Sequence, residues 1–373
     1  MIPVNDLLSG YRAHSTAIND AVQRVLNSGW YILGAEVESF EQEFGAWLGA
    51  RHAVGVANGT DALMLALRAA GVQPGDGVFT VSHTAVATVA AIEMAQAVPL
   101  LVDVDEQTCT MAPQSLEDGI RRALAMGLKC RAIVPVHLYG HPCDMAAVQG
   151  LAERYGLAVI EDCSQSHGAT VMQRTTGTLG LAGAFSLYPT KNLGAIGDAG
   201  VVVTDSGDLA ESLRQLRQYG WKERNNSLVA GVNSRLDELQ AAILRVRLKH
   251  LAAANERRRT IAAAYDAGLS SLDIRLPTVR SGCQHVFHQY VVRVRQRDQL
   301  QAALRQNGVA TMIHYPFPVH RQPAYHGRLP EVVSLAVTER IASEILSLPI
   351  FPELTHTGVT AVVDALSKCL RCD

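Results

Sequence analysis

Three familiar catalytic signatures are missing from this sequence. It contains no G-x-x-x-x-G-K-[ST], no H-E-x-x-H and no G-x-S-x-G, so a phosphate-cradling P-loop, a paired-histidine zinc helix and a nucleophile elbow are excluded. The glycines at 194, 197 and 200 are spaced by three, which is wrong for the dinucleotide fingerprint G-x-G-x-x-G and argues against a nicotinamide-dependent oxidoreductase. Neither sign of charge is in excess. With 33 Lys and Arg against 35 Asp and Glu, a formal charge of −2 and pI ≈ 6.7, the electrostatic footprint of a nucleic-acid binder is absent. The basic cluster Glu256-Arg257-Arg258-Arg259 reads as a solvated helix face. No uninterrupted apolar run is long enough to span a bilayer: Val78 to Val102 is broken by Glu93 and Pro99 and reads as buried strand plus helix. The opening MIPVNDLLSGYRAHS has neither a charged n-region nor an apolar h-region, and a cytoplasmic protein is expected. Seven cysteines are scattered, and only Cys369-Leu-Arg-Cys372 is closely spaced. Without a second pair it makes no zinc site, so free thiols and no metal are expected.

What is present points to an α/β fold. The chain has 373 residues, 48% hydrophobic, with 30 glycines, enough for one large α/β domain and a smaller partner. Apolar, β-branched runs at Val78–Val81, Leu100–Val104, Ile133–Val136, Val159–Asp162 and Val201–Thr204 alternate with helical patterns. This implies βαβ units and a mainly parallel sheet. Asn58-Gly-Thr-Asp-Ala-Leu63 opens a helix that Thr60 or Asp61 can cap and Gly71 stops. A longer helix is predicted from near Arg235, with Leu236, Leu239, Ile243 and Val246 on its apolar face. Beyond Ala252 the chain turns polar and Arg-rich, then resumes with a strand-like His288–Arg293 and a helix around Asp298–Gln306. A large domain over 1–250 and a small C-terminal domain over 251–373 are expected.

The chemistry concentrates in "FSLYPTKNLGAIGDAG", Phe185 to Gly200, where a single lysine stands among small residues. Lys191 by itself reads as a surface charge, as a lone lysine does roughly nine times in ten, and Asp162 as a loop cap. Asp162, however, ends a buried strand, where open α/β sheets build ligand sites. A carboxylate there, a lysine one supersecondary unit later and a helix N-terminus at Gly59-Thr60 are the parts pyridoxal phosphate requires. The lysine forms a Schiff base, the aspartate keeps the pyridine nitrogen protonated, and helix N–H groups receive the phosphate.

These motifs resemble the DegT/DnrJ/EryC1/StrS family of sugar aminotransferases, pyridoxal-phosphate enzymes of the aspartate-aminotransferase fold (fold type I). The resemblance runs from Ile2 to about Tyr325, through "SGWYILGAEVESFEQEF", "VANGTDALMLAL", "PVHLYGHPCDM", "IEDCSQSHGA", "SLYPTKNLGAIGDAG", "VNSRLDELQAAIL" and "HYPFPVHRQPAY". It implies that Lys191 is the Schiff-base lysine and proton shuttle, Asp162 the pyridinium partner and Gln165 the neighbour of the 3-hydroxyl. Ser186 with Gly59-Thr60 forms the phosphate cradle, and Asn233 is contributed by the neighbouring subunit of a homodimer with shared active sites. His167 either touches the cofactor region or is a satisfied loop histidine. Two positions depart from the family pattern: Ala85 stands where an aromatic residue usually stacks on the ring, leaving His83 as a substitute, and Asn225-Asn226 occupy a loop that bears on substrate choice.

Trp30, Tyr31, Tyr219, His314, Tyr315 and His320 are candidate substrate contacts by their flat faces and polar tips, of which about half are expected to miss the ligand. The resemblance implies two half-reactions. Glutamate gives up its amine to form pyridoxamine phosphate and 2-oxoglutarate, and the amine then passes to C3 or C4 of a nucleotide-linked keto hexose. A related lyase class replaces the lysine by histidine, and a non-catalytic regulatory homologue would most simply have lost Lys191 or Asp162; both residues stand.

Overall fold

The computed structural model describes residues 1–371. Its central sheet has seven short strands: β1 (His52–Val56), β2 (Gly77–Val81), β3 (Val98–Val102), β4 (Cys130–Ile133), β5 (Ala158–Asp162), β6 (Ala182–Ser186) and β7 (Gly200–Thr204). They lie in the order β1-β7-β6-β5-β4-β2-β3. All contacts are parallel except those of β7, which runs antiparallel to β1 and β6. This is the mainly parallel α/β sheet that the alternating pattern implies.

Both faces are covered by helices, which is why the strands read as apolar runs without polar alternation. On one face Val54, Val56, Ile160, Ala182, Ala184 and Val202 pack on helices 59–69, 86–94 and 207–216. On the other, Ala53, Phe185, Val201 and Val203 meet helices 35–48 and 238–248, while Phe79, Val81 and Ile133 meet helices 113–125 and 145–155. A further apolar cluster joins helices 251–269 and 356–371 to the antiparallel pair β8 (Tyr290–Arg293) and β9 (Ile345–Leu348). Ile2, Cys369 and Leu370 also pack against that cluster.

Several local expectations are corrected. The strand read at Ile133–Val136 stops at Ile133, because Pro135 has no N–H to donate; beyond it the chain keeps the bond from Val134 N to Phe79 O at 2.7 Å and the bridge Val136–Asp162. Helix 59–69 is capped by Asn58, whose side chain accepts from Asp61 N at 2.8 Å; Asp61 instead accepts from Ser234 Oγ at 2.7 Å. The helix predicted from Arg235 begins at Glu238 and buries two sides, Leu244 and Leu248 inward and Leu239 and Val246 toward Val25. Strands β1 and β6 escaped the sequence pattern, since each is broken by an interior glycine, Gly55 and Gly183. Arg258 does not lie on a solvated face: it is 4% exposed, and its guanidinium donates to the carbonyls of Phe287 and Ile350. Cys372, half of the terminal cysteine pair, lies outside the described residues.

Glu238 ties together two helices that cover the same face of the sheet, 238–248 and 35–48. Its buried carboxylate accepts the backbone N–H groups of Gly34, Glu36 and Val37 at 2.8 to 2.9 Å, capping helix 35–48 from another helix. Gly34, the N-cap residue, has no side chain to do this. Glu238→Ala leaves those donors unmatched, and equilibrium urea unfolding is expected to show a loss of about 2 to 4 kcal/mol.

Candidate active site

A cavity of about 330 Å³ opens where β1, β2, β4, β5 and β6 all end. Its walls are the turns that follow those strands: Asn58–Leu63, Thr84–Thr88, Val136, Asp162–Gln165 and Ser186–Lys191, closed from the far side by His288, Gln289, His314 and Tyr315. Parallel strands deliver all their C-terminal turns to one edge, which is why residues remote in sequence meet here.

Asp162 is the last residue of β5 and is 3% exposed. Its carboxylate accepts from Thr88 Oγ1 at 2.8 Å and Ser164 N at 3.1 Å. Thr88 is held in turn by Thr84 at 3.0 Å. Two neutral donors fix the carboxylate's direction without neutralising it, so its negative charge stays available to the cavity.

Lys191 sits in the turn after β6, its N–H bonded to Tyr188 O at 2.8 Å. Burial lowers its pKa to about 8, and the attraction of Asp162 opposes that shift. Its Nζ has no hydrogen-bond partner among the described residues. The next residue anchors the loop: Asn192 Nδ2 donates to Asn255 Oδ1 at 2.9 Å and to Val286 O at 3.1 Å. The result is an amine nearly poised between its charged and neutral forms, on a backbone that cannot drift.

The amide of Gln165 has a defined orientation. Tyr139 N donates to its Oε1 at 2.6 Å, so the NH2 group faces the cavity, where it reaches Tyr315 Oη at 3.1 Å. Burial raises Tyr315 to about 12 and lowers His314 to about 4, so both are neutral at physiological pH. Opposite them, the helix N-terminus at Gly59 presses on Ser186: a Cβ at Gly59 would lie 2.5 Å from Ser186 Cβ. The N–H groups of Gly59 and Thr60 have no partner among the described residues, leaving a ready anion site beside the Ser186 hydroxyl.

The structure thus gathers Lys191, Asp162, Gln165, Gly59, Thr60, Ser186, His314 and Tyr315 around one cavity. The other expected residues lie elsewhere. His83 is buried outside the lining, with Nε2 bonded to Tyr139 Oη at 2.8 Å and its pKa lowered by burial to about 4. His167 is fully buried against Phe185, its pKa lowered to about 3 by burial and by Lys191. His320 bridges Ser82 and Glu339 at 2.7 and 2.9 Å. Trp30, Tyr31, Tyr219 and Asn233 are exposed and line no part of this cavity. Asn192, His288, Gln289 and Thr88 were not singled out by sequence reasoning. For Asn192 the signal was its place beside Lys191; His288 stood only as the start of a strand.

One His, Cys and carboxylate cluster is buried nearby, formed by His137, Glu161 and Cys163. Glu161 already accepts from His137 Nε2 and from the N–H groups of Gly177, Leu179 and Gly180, at 2.7 to 2.9 Å. Those four donors saturate the carboxylate and mark it as a structural anchor.

Residues 13–367 match the DegT/DnrJ/EryC1/StrS aminotransferase family, extending the resemblance at the C-terminal side. The chain is 45% identical to dTDP-3-amino-3,4,6-trideoxy-alpha-D-glucose transaminase of Streptomyces venezuelae, over 98% of this chain and 96% of that one. It is also 45% identical to dTDP-3-amino-3,6-dideoxy-alpha-D-galactopyranose transaminase of Aneurinibacillus thermoaerophilus, over 99% of each. Among solved structures, S. venezuelae DesV in complex with a ketimine intermediate matches with a TM-score of 0.94 at 45% identity, covering 98% of each chain.

The lowered pKa of Lys191 has a direct readout. Amine-directed acylation of cofactor-free protein, followed by peptide mass spectrometry, is expected to label Lys191 with a pH midpoint near 8, against about 10.4 for ordinary lysines. A midpoint indistinguishable from surface lysines would contradict the site's electrostatics.

Proposed function

We propose that this chain, which belongs to the DegT/DnrJ/EryC1/StrS aminotransferase family, uses pyridoxal phosphate to place an amino group on a keto carbon of a nucleotide-linked deoxyhexose. Transfer of an amino group is the family's activity and this enzyme's class. The observation that carries the cofactor is the joint burial of Lys191 and Asp162 in one cavity, beside two unpartnered helix N–H groups.

The residues fit the group. Asp162 would face the pyridine nitrogen, the Gln165 NH2 the 3-hydroxyl, and the N–H groups of Gly59 and Thr60 with Ser186 Oγ the phosphate. When bound, pyridoxal phosphate supplies an electrophilic aldehyde carbon and an electron-withdrawing ring. The protein's own work is done by other atoms. Lys191, with its pKa lowered to about 8, offers a nucleophilic amine and a group that takes and returns a proton near neutral pH. Thr88 and Ser164 hold the Asp162 carboxylate in the direction where positive charge must be balanced. Neutral Tyr315 and His314 wall off water without adding charge.

The two relatives are both named for 3-amino sugars, which favours C3 over C4 as the aminated carbon. Glutamate is the donor in this reading. A cytoplasmic homodimer is part of it, supported by Trp30 at 64%, Tyr31 at 49% and Tyr219 at 41% exposure, aromatic area that a second subunit would cover. Asn233 would then serve the partner's cavity. Among the described residues no helix is long and apolar enough to cross a membrane. The two units are taken as 1–250 and 251–373, the second built on the apolar cluster of helices 251–269 and 356–371.

Added pyridoxal phosphate is expected to give a visible absorption band that glutamate bleaches, and a dTDP-linked 3-keto hexose is expected to restore it. Lys191→Ala and Lys191→Arg should keep the fold by circular dichroism, lack the band and lose turnover by about 10³-fold or more. Full activity in either variant overturns the mechanism.

A further inference from the structure

His288 lines the Lys191 cavity and is 7% exposed. Its ring is held by one hydrogen bond, Nδ1 to Asn192 Oδ1 at 3.1 Å. The direction of that bond follows from Asn192. Its Nδ2 spends both protons, on Asn255 Oδ1 and on Val286 O, and both acceptors lack protons to give back to it. The Asn192 amide is therefore oriented, its oxygen can only accept, and Nδ1 of His288 must carry the proton. In the neutral ring Nε2 is then a bare lone pair. Among the described residues Nε2 has no hydrogen-bond partner, and it is not sealed away from solvent, which leaves it open to the cavity that His288 lines.

The surroundings keep the ring neutral. Burial pushes its pKa well below 6.5, and Lys191, Arg258, His314 and His167 push it the same way. Arg258, buried on helix 251–269, donates to Phe287 O at 3.2 Å and fixes the backbone just before the ring. A ring held toward its neutral form, lining the same cavity as an amine that loses and regains protons, can offer that amine a lone pair.

We propose that His288 is a further positioning residue of the aminotransferase site, held by Asn192 as the Nδ1–H tautomer so that its Nε2 lone pair is offered to the cavity it shares with Lys191, an acceptor for the amine once Nζ, unbonded in this structure, turns toward it. The inference rests on the reading of the cavity as the Lys191 site. It explains why the residue after the lysine is an asparagine with three partners: Asn192 couples the position of the Lys191 loop to the tautomer of the ring that serves it. No proton is transferred to His288, and the bond orients Nζ during each cycle of proton uptake and release.

The test is an ¹⁵N-histidine two-bond ¹H–¹⁵N spectrum of the pyridoxal-phosphate-loaded protein, with His288→Phe to assign the signal. The expected pattern is the neutral Nδ1–H form, unchanged from pH 8 to pH 5.5. An Nε2–H pattern, or a titration near the ordinary 6.5, overturns the proposal. A second measurement follows the acylation midpoint of Lys191 in cofactor-free variants. His288→Asn keeps a donor toward Asn192 but removes the lone pair, and should lower the midpoint by about one pH unit, because an acceptor that favours the ammonium is gone. His288→Gln, whose amide oxygen can reach the Nε2 position, should recover part of that unit. Equal midpoints in wild type and both variants would assign His288 a structural role only. Neither readout requires turnover, so an inactive enzyme with the Nδ1–H pattern would count against the proposed function and leave this inference standing.

Discussion

Two adjacent carboxylates end strand β5, and most of the site follows from satisfying both without water. Successive side chains on a strand point to opposite faces, so Glu161 and Asp162 require separate solutions. Glu161 is anchored by His137 and three backbone N–H groups from 177–180. That loop leads directly into β6, which carries Ser186 and then Lys191. A buried carboxylate short of donors costs several kcal/mol, so the saturation of Glu161 fixes where β6 begins. Asp162 receives only two neutral donors, and its remaining charge faces the cavity.

Close backbone approach is the second requirement. A Cβ at Gly59 would collide with Ser186, and one at Gly200 would lie 2.3 Å from Asn58 O. Only glycine lets the N-terminus of helix 59–69 sit against the end of β6 and the start of β7, and that contact places two unpartnered N–H groups beside a serine hydroxyl. The antiparallel course of β7 belongs to the same arrangement, since it returns the chain from the lysine loop across the sheet to pair with β1. The lysine loop is then closed from the far side by Asn255 and by the 286–288 segment through Asn192. The site is therefore a joint between the sheet and the C-terminal elements, and no single motif contains it.

Much of this was legible in the sequence because it depended on local chemistry. The helix at Asn58–Leu63, the buried strand ending at Asp162 and the lone lysine among small residues follow from capping, apolar runs and turn composition. Their convergence was readable because parallel strands send all their C-terminal turns to one edge. Arg258 was misread since its neighbours Glu256 and Arg259 do form an exposed pair, at 2.5 Å, and only the approach of the 287 and 350 carbonyls buries the residue between them. Strands β1 and β6 each carry an interior glycine, and the apolar run left on either side is too brief to read as a strand.

The sequence by itself determined the fold class, the family and the Lys191, Asp162 and Gly59-Thr60 set, because each is stated by residue type, spacing and order along the chain. Only the tertiary structure decided what those residues are at neutral pH and which others serve them. The lowered pKa of Lys191, the neutrality of His314 and Tyr315, and the tautomer of His288 come from burial and from partners about 30 to 150 positions away. Desolvation and hydrogen-bond direction are properties of surroundings, and a linear sequence does not specify surroundings until the chain has folded.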